Sequence, residues 1–143
     1  TKGYQRLALY QVRREDVAPS TALDKIVASG LGYIDFAMEF PGLFHLMFNS
    51  SIPNRSDEEF SNVSLLVFEK LVANTKAHSG RNPYTNQESM KDLMASWAVV
   101  HGLAELVISG RAERTLGLNE MSQDERDETF KSILFRVNST SQV

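Results

Sequence analysis

Apolar residues along this chain return every three to four positions instead of every second one. Tyr4, Leu7, Ala8 and Val12 set the rhythm and predict a helix over about residues 2–14. After a turn around Asp16 and Pro19, a second helical run extends from about Thr21 to Phe40. Pro41 lacks an amide donor and restricts Phe40, so this helix is expected to kink or restart there and continue from Gly42 to about Asn49. The stretch NSSIPNRS has turn chemistry throughout, and Ser56 with Glu59 makes a capping box for a helix whose stripe is Phe60, Val63, Val67 and Leu71. Lys76 and His78 suit its negative end, and Gly80 with Asn82-Pro83 stops it. Thr85 with Glu88 is the expected cap of a long helix ending before Gly110, and Ser122 with Glu125 of a last helix over about 122–137. No run alternates strictly, so the expected fold is all-α, one domain over residues 1–143.

The helix over 87–109 is apolar nearly all round. Met90, Met94, Trp97, His101, Ala104 and Ile108 share one stripe, which Leu93, Val100 and Val107 widen. Ala95, Ala98, Val99, Gly102 and Leu106 lie opposite. Such a helix must be covered on both sides, and one small domain covers only one. The economical arrangement turns the Trp97 face inward and gives the Gly102 face to a second copy of the chain, joined by Phe130, Ile133, Leu134 and Val137 of the last helix. Gly102 weakens a helix by about 1 kcal/mol relative to alanine, which makes sense where another backbone approaches.

His101 has two readings: a core histidine satisfied by a neighbour, or a polar handle inside an apolar pocket. Paired with Glu105 it is half a metal site, and two ligands are too few, so no metal is expected. The run GYIDFAMEFPGLFHLMF gathers Tyr33, Phe36, Phe40, Phe44, Met47 and Phe48 around Pro41. Bulky rings at a proline break pack less tightly than regular helices, so a cavity is expected there.

Charge narrows the function. A net charge of -3 and a pI near 5.6 offer no general attraction to phosphate backbones. Lys2, Arg6, Arg13 and Arg14 on the first helix are the local exception. The absence of cysteine excludes a disulfide framework and a thiolate zinc site and fits a reducing cytoplasm. No stretch is long and apolar enough to span a bilayer. Neither a nucleophile with its base nor a phosphate-cradling glycine loop stands out, so no enzyme and no cofactor are expected. The chain opens at Thr1 already in a helical pattern, so a segment upstream is expected.

Trp97, His101 and Gly102 in SWAVVHGLAELVISG, preceded by Phe36-Ala37, Pro41, Leu43-Phe44 and Met47-Phe48, resemble the C-terminal regulatory domain of TetR-type transcriptional regulators, and more narrowly the WHG-type subgroup. The resemblance covers essentially the whole chain in helix order. It implies an effector-binding and dimerising domain behind an N-terminal helix-turn-helix DNA reader. It also implies that the last two long helices form a four-helix bundle with their counterparts in a homodimer, and that residues 2–14 connect to the DNA reader.

The combined expectation is the regulatory domain of a cytoplasmic repressor. A small apolar or amphipathic effector would enter between the aromatic segment and the tryptophan helix, with Tyr33, Phe36, Phe44, Met47, Phe60 and Trp97 as walls and His101 as the polar contact. Operator DNA would be read by the upstream domain. The alternative is a dimeric helical interaction module whose interior is filled by its own side chains.

Overall fold

The computed structural model describes residues 2–49 and 58–140, and the side chains of 3–48 and 68–138. Among these residues seven α-helices follow one another: α1 (Lys2–Val17), α2 (Ala22–Glu39), α3 (Pro41–Asn49), α4 (Glu58–Ser79), α5 (Gln87–Ile108), α6 (Arg111–Leu116) and α7 (Gln123–Thr140). No strand occurs among the described residues. Helix α2 is the central element, since it packs on α1, α3, α4, α5 and α7.

Local chemistry sets most of the boundaries. Thr21 caps α2 by accepting the Asp24 amide at 3.1 Å. Phe40 leaves helical geometry (φ -128°, ψ 62°), and Pro41 opens α3 at the position where a missing N–H costs nothing. The Ser122–Glu125 box forms in both directions: Glu125 N–H donates to Ser122 Oγ at 3.1 Å, and Ser122 N–H to Glu125 Oε1 at 3.0 Å. These bonds from Ser122 hold the Glu125 carboxyl below its ordinary range.

Two expectations are corrected, one segment left unassigned in the sequence gains structure, and one expectation falls outside the described residues. The cap of α5 is Asn86, whose Oδ1 accepts the Ser89 amide at 2.9 Å, whereas Thr85 spends its N–H and its hydroxyl on the Asn82 carbonyl. The segment 110–121 contains α6 and a 3-10 turn at Leu118–Glu120, set off by Gly110 and Gly117 at φ 81° and 68°. Helix α1 runs three residues past the expected end at Arg14, to Val17. The Ser56–Glu59 box and the side chains of Phe60, Val63 and Val67 lie outside the described residues.

That last turn of α1 is tied down by charge. The Arg14 guanidinium forks onto Asp35 of α2 (2.6 and 3.0 Å) and onto Asp127 of α7 (2.9 and 3.1 Å). The two carboxylates hold its proton even more firmly than usual. One residue on, Glu15 pairs with Lys70 of α4 at 2.6 Å. At mid-helix the two backbones nearly touch: a Cβ on Gly32 would lie 2.5 Å from Gln11 Cα and 2.6 Å from the Tyr10 carbonyl oxygen. Gly32 therefore lets α1 sit directly on α2.

The core is built from Leu7, Ile34, Phe36, Phe44, Leu93 and Ala104, each at most 1% exposed. Its centre of gravity on α5 differs from the expected stripe. Leu93, Val100, Leu103 and Ala104 face inward, while Met94 is 50% exposed and Trp97 and His101 sit at the edge, half-buried.

Candidate ligand cavity

Tyr33, on the buried face of α2, organises the region. Its hydroxyl lies 2.6 Å from His101 Nδ1. The Glu105 carboxylate, 3.8 Å from His101 Nε2, favours the imidazole N–H on that nitrogen, so the phenol donates to Nδ1. Burial keeps both groups neutral: it pushes the Tyr33 phenol well above its ordinary range and lowers His101, which Glu105 only partly offsets. His101 also stacks on Phe44 at 5.2 Å between ring centroids and meets Phe48 edge-on at 5.1 Å. His101 thus holds a tyrosine from another helix.

Beside Trp97 and Tyr33 lies a cavity of about 120 Å³, enclosed by α1, α2, α3, α4 and α5. Ile26, Phe48, Phe68, Leu71 and Val100 supply most of its apolar wall. Its polar positions are Gln11, Ser29 and Asn74, with Tyr4 and Tyr33. Gln11 Nε2 donates to Ser29 Oγ at 3.0 Å, and Asn74 Nδ2 to Glu15 Oε1 at 3.4 Å.

Among the residues expected to hold a ligand, Tyr33 and Trp97 line this cavity. Phe36 and Phe44 are wholly buried and Met47 is 7% exposed; all three fill the core beside the cavity, Met47 packing over Gly3 of α1. His101 sits behind Tyr33, so it is a support and not a wall. The Phe60 side chain lies outside the described residues. Gln11 went unnoticed in the sequence, yet it falls at i+7 from Tyr4 and i+4 from Leu7, a polar residue on the buried stripe of α1.

On the opposite side of α5, Ala95, Ala98 and Leu106 are exposed and Val99 and Gly102 half-buried; a Cβ on Gly102 would meet nothing within 4 Å. Ala98, Gly102, Leu106, Leu116 and Ile133 line a shallow apolar groove there. Phe130 and Leu134, assigned in sequence to the same face, instead point into the chain's own core at 4% and 2% exposure, because α7 packs on α2 as well as on α5. Ile133 and Val137 are half-buried.

A family model described as the tetracyclin repressor-like C-terminal domain matches residues 26–134, from the first turns of α2 to α7. The chain belongs to this family. No curated protein and no solved structure matches it. A TetR-like C-terminal domain is all-α, as observed, and points to a TetR-family regulator; the match carries no assignment to the WHG-type subgroup. Domains of this family typically dimerise, bind effectors and are not enzymes. Among the described residues no group of three or more potential metal ligands gathers, and no helix is long and apolar enough to cross a membrane.

Proposed function

We propose that this chain is the effector-sensing and dimerising part of a cytoplasmic TetR-family repressor, preceded by a helix-turn-helix DNA reader. The observation that carries the reading is the cavity among α1, α2, α3, α4 and α5, with Tyr33 and Trp97 on its wall and α1 as one of its sides. A small, largely apolar effector would fill it. Helix α1 is the element through which occupancy would be felt. It contributes Tyr4 and Gln11 to the wall, and its Glu15 is bonded to Asn74, another wall residue. An occupant that reorients Gln11 or Asn74 favours a conformer in which α1 has moved, and with it the DNA readers of the two protomers.

Dimerisation through the Ala98, Gly102 and Leu106 face of α5, with Ile133 and Val137 of α7, fits the apolar groove on that side. The test is to express the complete product of the gene, find compounds that raise its melting temperature, and measure its affinity for DNA upstream of its own gene with and without them. A clear change in DNA affinity is expected. Compounds that stabilise the protein but leave DNA affinity unchanged would refute the coupling.

A further inference from the structure

The wall of the cavity says more about its occupant than its apolar character. No charged side chain lies among its described lining residues. An ion moved there would lose its hydration without gaining a counter-charge, so the site accepts a neutral molecule. The volume of about 120 Å³ bounds the size, since an engineered cavity of about 150 Å³ holds benzene. One ring, or a short branched chain, fills the space.

The polar atoms narrow the chemistry further. The Tyr33 hydroxyl is committed to His101, and Asn74 is engaged with Glu15. Gln11 is only half satisfied. Its Nε2 reaches Ser29 Oγ, whereas its Oε1 is buried and no donor among the described residues reaches it. The residue is 8% exposed, so bulk water does not compensate. The terminal amide torsion of glutamine is broad, so Oε1 turns toward an occupant by loosening the Nε2–Ser29 bond, and the occupant's donor offsets that loss.

From the neutral wall, the single-ring volume and this half-satisfied amide we infer that the cavity selects a small neutral molecule carrying one hydroxyl or N–H donor, received by Gln11 Oε1. This rests on the effector-site reading, because it requires the cavity to open to a ligand.

The probes are phenol and toluene, which fill similar space with and without a donor. Each is titrated into the wild-type chain and into Gln11→Met while backbone amide NMR shifts are followed. The phenol-to-toluene affinity ratio should fall by about tenfold or more in the variant, a comparison that cancels the different hydration of the two ligands. An unchanged ratio, with both ligands bound, overturns the inference and leaves the cavity reading standing. Failure of both ligands to bind the wild-type chain overturns the open-cavity reading and the inference with it. Should Gln11→Met not fold, phenol and fluorobenzene on the wild-type chain decide, each corrected for its own water-to-alkane transfer. Phenol must then lead by about tenfold, and equal corrected affinities overturn the inference.

Discussion

Two glycine-to-alanine substitutions should change stability in opposite directions. In an unconstrained helix each would gain about 1 kcal/mol from propensity alone. At Gly32 the new methyl would stand 2.5 Å from Gln11 Cα, 2.6 Å from the Tyr10 carbonyl oxygen and 2.8 Å from Gln11 N. Ordinary contact needs about 3.5 Å, so α1 and α2 must part by about 1 Å, and backbone has no rotamer with which to give way. That shift would stretch the Gln11–Ser29 bond from 3.0 Å to about 4 Å, beyond hydrogen-bonding range. Overpacking costs about 1 to 3 kcal/mol and two buried polar groups left unpaired about 1 to 3 more. After the propensity gain, Gly32→Ala should lose about 1 to 5 kcal/mol. At Gly102 nothing stands within 4 Å of the added Cβ, so the chain should gain up to about 1 kcal/mol. Urea unfolding followed by far-ultraviolet circular dichroism, at a protein concentration low enough to keep the chain monomeric, measures both. A Gly32→Ala variant as stable as the wild type would refute the close crossing of α1 on α2.

Other outcomes follow from the same contacts. Tyr33→Phe leaves His101 Nδ1 without its partner and should cost about 1 to 3 kcal/mol in urea unfolding. Arg14→Lys keeps the charge but loses both forks and should cost about 1 to 2 kcal/mol, the partial exposure of the cluster limiting the loss; sensitivity of α1 to limited proteolysis should rise in parallel. Because burial lowers His101 in the folded chain, the unfolded chain binds the proton more readily. The stability this contributes is present above the unfolded value of about 6.5 and is lost as pH falls through the lower folded value, and a His101→Gln variant should show a flatter stability profile there. Leu106→Arg should yield monomers in sedimentation with helicity intact, if the outer face of α5 joins two copies.

Much of the fold was legible because its signals are local. The period of the apolar positions, the break at Phe40-Pro41 and the Ser122–Glu125 box each depend on neighbours within a turn or two. The start of α5 was misassigned by one residue because Thr85 and Asn86 both have capping chemistry; what separates them is the turn from Asn82 that consumes Thr85. The site was legible only in part. Spacing made Trp97 and His101 neighbours, but the partner of His101, Tyr33, lies 68 residues before it. Phe36 and Phe44 were read as walls because a helix wheel reports direction and not whether space remains beyond the ring. Gln11 escaped notice because α1 drew attention through its basic residues, and because its environment arises from α1 crossing α2 at Gly32.

Trp97 is the only indole in a sequence that has no thiol, and it sits on the cavity wall with the Phe68 ring 6.2 Å away. The chain is therefore an unlabelled optical sensor of its own interior, since its tryptophan emission comes from a single place next to any occupant. One cysteine introduced at Val17, 82% exposed at the end of α1, would be the sole attachment point for a dye. Energy transfer from Trp97 to that dye would then report, in real time, whether filling the cavity displaces α1.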